Sequence, residues 1–212
     1  MAKDLGPQCK RCRREGEKLF LKGERCYTSK CAIVKRNYAP GSSGGGRRMQ
    51  MTEYGTQLRA KQKVKRMYGL REAQFRNTFE AATQKKGNTG EFFVGMLEAR
   101  LDNAVYRAGF AQSRRQSRQF VTHGHFLVNK RKVTIPSYVL REGDVVEVSS
   151  TKAKKKIWED MLAVQKETTM NQVPEWLAVD KKAMKITVAA APQAKELVDA
   201  LNVSLIVEFY SK

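Results

Sequence analysis

The sequence predicts an α+β protein in three parts: a cysteine-stapled N-terminal segment, a basic helical domain, and a module of two helices packed on a small antiparallel sheet. Three observations carry this. All four cysteines of the 212-residue chain fall between Cys9 and Cys31. Between residues 52 and 110, apolar residues recur at helical spacing. Between 126 and 148 the pattern changes to short apolar runs broken by turn residues, the mark of strands.

The first part, residues 1–45, has few large apolar side chains and no core of its own. Its cysteines are spaced C-x2-C-x13-C-x4-C. The N-terminus, MAKDLGPQ, lacks the apolar stretch of a signal peptide, so a reducing compartment is expected, where disulfides are rare. Two close cysteine pairs joined by a short loop then suit one tetrahedral zinc ion held by Cys9, Cys12, Cys26 and Cys31. Four thiolates fill the coordination shell, so such a zinc is structural and leaves no open position for water. The competing readings are two disulfides or four unrelated thiols. GSSGGG (41–46) follows as a Gly/Ser linker. Its Gly41-x4-Gly46 mimics a phosphate loop, but Arg47 and Arg48 stand where Lys and Ser/Thr belong and no apolar strand precedes it.

The second part, 46–92, opens at Thr52 with TEYGTQLRAKQKVKRMYG. Arg59, Lys61, Lys63, Lys65 and Arg66 cover most of that helix, and a helix so basic all round is expected to face solvent or phosphates. A second helix, 70–88, places Phe75 and Phe79 one turn apart as core. PQAKELVDAL near the C-terminus reads as a helix and SLIVEF as a strand. The region 192–212 is expected to complete this domain by returning onto its helices.

The third part, 93–191, has its centre at about 98–150. EFFVGMLEARLDNAVYRAGF reads as one continuous helix ending at Gly109. Ser113 is the N-cap of RRQSRQFVTHG, with Arg114, Arg115 and Arg118 on one side and Phe120 and Val121 inward. FLV, a turn at Asn129–Lys130, VTI and DVVEV supply the sheet. Glu98 and Asp102, one turn apart, read as surface or interhelical salt links to Arg100 and Arg107, not as a catalytic pair. His123 and His125 are the only histidines, and four cysteines already complete a metal site without them. TKAKKK (151–156) is either a solvated face or a further phosphate contact. IWEDMLAVQKE after it reads as a short helix with Trp158 inward.

Charge decides the class of partner. Hydrophobic and charged contents, 41% and 29%, are ordinary, but the net charge is +20 and the pI about 10.0. Residues 1–90 carry 22 Lys and Arg against 7 Asp and Glu, and residues 171–212 carry five against five. A field of this kind attracts polyanions. No run of about 18 apolar residues exists to span a bilayer, and no residues are arranged as a small-molecule site. The expected RNA-binding residues are Arg114, Arg115, Arg118, His123 and Asn129 in the module. Arg47, Arg48, Arg59, Lys61, Lys63, Lys65 and Arg66 are expected on and before the basic helix, and Arg11, Arg13 and Arg14 beside the cysteines.

The stretch LDNAVYRAGFAQSRRQSRQFVTHGHFLVNKRKVTIPSYVLREGDVVEV resembles the RNA-binding module named after small-subunit ribosomal protein S-four. The shared features are RLDN, the Arg-rich helical turn, HGH, the VN turn, IPSY and the GD before the last strand. With the cysteines, YGTQLRAKQKVKRMYG and the closing VSLIVEFYSK, the whole chain resembles the bacterial S-four family. The resemblance implies direct binding to the 5′ domain of small-subunit rRNA at a multi-helix junction, early in assembly. It also implies residence in the cytoplasmic small subunit, contact with the neighbouring protein S-five, and an influence on decoding accuracy. An RNA-modifying enzyme using the module as an anchor would need a catalytic domain for which no block of chain is left over. A zinc-finger DNA regulator would need a recognition helix that the glycine-broken loop between Cys12 and Cys26 does not provide.

Overall fold

The computed structural model describes residues 6–41, 50–153, 158, 173–192 and 195–211. The Gly/Ser linker at 42–46, Arg47, Arg48, Lys154–Lys156 and most of the IWEDMLAVQKE segment lie outside the described residues. The chain divides into two compact units, 1–94 with 194–212, and 95–193.

In the first unit, α1 (Gln8–Glu15) is stopped by Gly16. Gly16 takes the left-handed conformation, φ 76°, and its N–H donates to Cys12 O at 2.9 Å, a glycine-capped helix end. A 3₁₀ turn (Gly23–Cys26) and α2 (Ala32–Lys35) follow. Helix α3 (Glu53–Met67) begins at Thr52, whose Oγ1 accepts from Gly55 N at 3.2 Å. Helix α4 (Glu72–Thr83) buries Phe75, Phe79 and Ala82, and α5 (Thr89–Glu98) starts in this unit and ends in the next. Phe93 of α5 meets Phe75 and Phe79 edge-on, with ring centroids 5.0 and 5.6 Å apart.

Two chain-terminal helices close the unit: α9 (Lys195–Ala200) and α10 (Val203–Ser211), with α8 described below. SLIVEF is therefore helix and not the expected strand. A short apolar run does not show its period. Here Val203 and Ile206 are buried three residues apart, Val203 lies beside Gly90 of α5, and the helix packs on α3, which has no strand edge to pair with.

In the second unit, α6 (Leu101–Arg107) packs on α7 (Arg114–Thr122). Ser113 caps α7, its Oγ accepting from Gln116 N at 3.3 Å. Residues 91–110 do not form one helix. Arg100 is extended and forms an antiparallel bridge with Val139. Leu101 N donates to Tyr138 O at 2.8 Å, and Leu140 N to Ala99 O at 2.8 Å. These bonds to the IPSY loop replace the helical ones, so tertiary pairing overrides an uninterrupted apolar period.

The sheet has five antiparallel strands in the order β2-β1-β3-β5-β4, two more than the sequence suggested. They are β1 (Phe126–Val128), β2 (Arg131–Lys132), β3 (Val145–Val148), β4 (Leu177–Asp180) and β5 (Lys185–Val188), with α8 (Ser150–Ala153) after β3. Strand β2 falls on Arg131–Lys132, and VTI lies beyond it. Asn129 and Lys130 both have positive φ, 48° and 65°, which suits a two-residue hairpin turn twisted like its strands. Trp158 is buried between Phe110, Phe120 and Phe126, with centroids 5.3–6.2 Å away.

Candidate nucleic-acid interface

Helices α6 and α7 meet over two buried acids. Glu98 is 1% exposed and Asp102 4%. Arg107 donates through Nε and Nη2 to the two Glu98 oxygens, each at 2.9 Å, and Asn103 Nδ2 adds a third bond at 3.0 Å. Arg100 is bidentate on Asp102 at 3.0 Å, and Arg118 donates to the same carboxylate at 2.7 and 2.9 Å. Arg114 donates to Asn103 Oδ1 at 2.8 Å, lies 4.0 Å from Glu98 and sits over the Tyr106 ring. Ser117 Oγ donates to Asp102 O across the helix pair. Four guanidiniums share two carboxylates, so a positive excess remains.

Of the two readings for Glu98 and Asp102, surface or interhelical salt links to Arg100 and Arg107, the structure bears out the second: Asp102 pairs with Arg100 and Glu98 with Arg107, in a buried lattice. The Arg114 and Arg118 guanidiniums are tied to that lattice, while Arg115 stands exposed on α7. From Arg115 an exposed stripe runs through Gln119 and Thr122 to His123 at the helix end. It continues to Lys132, whose side chain lies across Gly124; a Cβ there would come within 2.3 Å of Lys132 Cε. Gly124 holds φ 65°, and that left-handed conformation is what favours glycine here, since the flexible end of Lys132 can move aside. Asn129 is exposed, but its amide is committed: Nδ2 donates to Asp144 Oδ1 at 2.8 Å, and Oδ1 accepts from Val145 N at 2.9 Å. Its role in the structure is to lock the hairpin turn to β3.

Helix α3 is not a solvated face: Gln57, Ala60, Lys61 and Val64 are buried on it. Its five cations are paired within the chain. Arg59 and Arg66 hold Glu15 of α1, Arg59 at 3.4 Å. Lys63 holds Glu17 at 2.6 Å. Lys61 and Lys65 hold Glu72 at the start of α4, Lys65 at 2.7 Å. Lys61 is buried, and its ammonium stands 4.5 Å from the Phe209 ring centroid and 5.1 Å from that of Tyr210. Long lysine stems cover apolar surface while the charged heads find acids and rings, so a basic helix became the seam of its unit. Burial works against the Glu72 charge, but hydrogen bonds from Lys61 and Lys65 overcome it and hold the carboxyl at about 2. Tyr210 donates to Glu72 at 3.2 Å, and burial together with the Glu72 charge pushes its phenol well up. Burial pushes Glu15 up despite its two arginines.

Beside α1, Arg13 Nε donates to Tyr38 O at 3.0 Å with its guanidinium 4.7 Å above the Tyr38 ring, and Arg14 donates to Pro40 O at 3.1 Å. Arg11 adds its field to the Arg66 cluster. The four cysteines line one pocket with Leu21 and Ile33, and none is in a disulfide. Lys22 N donates to Cys26 Sγ at 3.4 Å. Burial first, and then the neighbouring sulfurs, raise the Cys12 and Cys26 thiols; amide donors at Leu19 and Lys22 act the other way. Among the described residues, no group of three or more His, Cys, Asp or Glu stands at metal-site geometry.

Comparison with known proteins now bears on this arrangement. A family model described as ribosomal protein S4/S9 N-terminal domain matches residues 3–98, and one described as S4 domain matches 99–146. The chain is 51% identical over 212 residues, all of both chains, to the small ribosomal subunit protein uS4 of Thiobacillus denitrificans. The same protein of Halothermothrix orenii is also 51% identical over all of both chains. That of Syntrophomonas wolfei is 48% identical over 204 residues, 96% of each chain. The chain belongs to the uS4 family. The junction between the two uS4 models, at 98/99, falls where α5 gives way to extended Arg100. The S4-domain match takes in α6, α7, the β1–β2 hairpin and the start of β3. Strands β4 and β5, and helices α9 and α10, lie beyond both matches. The relatives carry the name of a ribosomal protein and of no enzyme.

Proposed function

We propose that this chain is a structural, non-enzymatic component of the small ribosomal subunit that binds the 5′ domain of small-subunit rRNA directly and early in assembly. The observation that carries the reading is full-length identity of about half to proteins named small ribosomal subunit protein uS4, on a chain with net charge +20. Duplex RNA hides its major groove from side chains, so recognition goes through shape, phosphates and 2′-hydroxyls. The Arg115–His123–Lys132 stripe, on α7, its C-cap and β2, beside the Glu98 and Asp102 lattice, suits that task. The same reading places the chain in the cytoplasm beside other small-subunit proteins, S-five among them, with an influence on decoding accuracy.

Four thiols lining one pocket, two of them receiving amide N–H donors, have the chemistry of a structural-zinc donor set, and zinc binding would have to draw them into metal-site geometry. Cys9, Cys12, Cys26 and Cys31 would hold it, and a dication would oppose the burial, and the lesser repulsion between sulfurs, that raise Cys12 and Cys26. What zinc supplies there is a cross-link for a segment with little apolar core.

The deciding experiment is a filter-binding competition at moderately high salt. Labelled 5′-domain small-subunit rRNA is bound, then challenged with unlabelled duplex RNA and with tRNA. Strong preference for the rRNA fragment is expected. Equal competition by all three RNAs would sink the reading and leave charge as the only determinant.

A further inference from the structure

Between the second and third cysteines the chain makes an unusual choice. Leu19 points inward and is 1% exposed. The next residue, Phe20, adopts φ 50°, a left-handed conformation that a bulky aromatic residue rarely takes and that costs free energy unless its surroundings enforce it. The result is that Phe20 leaves the interior and meets Tyr27, with ring centroids 4.9 Å apart and planes tilted by 33°. Tyr27 follows Cys26 directly, its N–H donates to Glu24 O at 2.9 Å, and it remains 42% exposed. Its ring is thus held on a fixed backbone while much of its surface faces out.

The charges around it are disposed differently from those of α3. Lys22, Arg25 and Lys30 are exposed, and no ion pair is formed by any of them among the described residues. Glu24 is the single acid in the stretch. The five cations of α3 are paired with three acids, Glu15, Glu17 and Glu72, so they contribute less to an outside polyanion than their number suggests. An exposed, backbone-fixed ring among three uncompensated cations is the composition of a single-strand nucleic-acid subsite: the ring takes a base face and the cations take phosphates.

We infer that the Phe20–Tyr27 pair is a stacking platform for an unpaired nucleobase of RNA, with Lys22, Arg25 and Lys30 holding the flanking phosphates. The inference deepens the RNA-binding reading of this segment and rests on it. It adds a preference for single-stranded nucleotides to a protein whose other basic surface suits duplex RNA.

The test uses the full chain and three probes: hexaadenylate, an A-form RNA duplex, and the 5′-domain rRNA fragment. Tyr27→Ala is expected to weaken hexaadenylate binding roughly tenfold, as loss of one stacked base does. Tyr27→Phe retains affinity, because the ring face is kept. Tyr27→Leu, which still covers Phe20 but offers no π face, behaves like Tyr27→Ala, and all three variants bind the duplex as the parent does. Equal hexaadenylate binding by parent and Tyr27→Ala overturns the platform. So does an equal loss on hexaadenylate and duplex, which marks a general effect on fold or charge. Tyr27-dependent binding of hexaadenylate by a chain that shows no preference for the rRNA fragment would keep the platform and remove the rRNA assignment. Fragment preference without any Tyr27 effect would do the reverse.

Discussion

Asp102→Ala tests the buried lattice that supports the interface. The substitution removes the one carboxylate shared by Arg100 and Arg118, whose side chains are 8% and 20% exposed. Breaking a buried pair and leaving the cation uncompensated costs about 3–5 kcal/mol. Arg118 can turn part of the way to water, whereas Arg100 is fixed by its bridge to Val139, so a loss near the lower end, about 3 kcal/mol, is expected. For a domain of about 100 residues each kcal/mol moves Tm by about 4–8 °C, which gives a fall of at least ~12 °C. The assay is tryptophan fluorescence during thermal and urea unfolding of the full chain. Both tryptophans, Trp158 and Trp176, are buried in the core of the 95–193 unit, so the signal reports that unit. Adding Arg100→Met to Asp102→Ala should restore part of the loss, because it removes the stranded charge and keeps apolar volume. A fall below ~4 °C for Asp102→Ala, or no recovery in the double variant, would refute the argument that the acids balance buried guanidiniums.

Three further outcomes follow from the same geometry. Arg115→Glu should weaken binding of the 5′-domain fragment several-fold, lower the salt slope by about one and leave Tm unchanged; Arg118→Glu should lower Tm as well, because it sets a second acid against Asp102. Cys12→Ser should reduce bound zinc by elemental analysis and speed limited proteolysis within residues 1–40, with the tryptophan-reported transition intact; an unchanged zinc count would remove the four-thiolate site. The Glu72 carboxyl is held at about 2 against an ordinary 4.5. Its ionised form therefore stabilises the folded chain above pH 4.5, and that stability is lost as pH falls from 4.5 towards 2. Glu72→Gln should abolish this acid-side component in urea titrations followed by far-UV circular dichroism. Because Glu72 is half exposed and solvent screens the pair, the effect is at most about 1 kcal/mol. Glu15→Gln should act with the opposite sign, since burial raises the Glu15 pKa and its protonation on acidification favours the folded state.

Part of the site was legible in the residues themselves. Ser113 before RRQSRQFVT announced a capped helix, and Asn129–Lys130 between two apolar runs announced a hairpin turn; both depend on bonds within a few residues. The Arg-rich turn and the four cysteines were conspicuous as residue types. What those arginines do was not legible. Arg114, Arg115 and Arg118 look equivalent in sequence, yet two are tied to buried acids and one faces out. The pairing of Glu98 and Asp102 with Arg107 and Arg100 was legible from acids one turn apart beside basic residues. That the lattice is buried and takes in Arg114 and Arg118 was not, because only folding brings α7 onto it. The cations of α3 misled for the complementary reason. Their partners, Glu15, Glu17 and Glu72, lie on other elements, and no local pattern identifies them.

By itself the sequence determined the class of the protein. Its charge, its cysteine cluster and the succession of helical and alternating periods are properties of composition and short-range spacing, and these specify local structure and attraction to a polyanion. The tertiary structure decided where helix 91–110 breaks, that SLIVEF is helical, and which cations pair with acids inside the chain. Those outcomes depend on bonds between residues far apart in the chain: Arg100 to Val139, Ile206 against α3, Arg66 to Glu15. A buried hydrogen bond or ion pair is satisfied by whichever group folding brings near, and a one-dimensional pattern does not contain that neighbour.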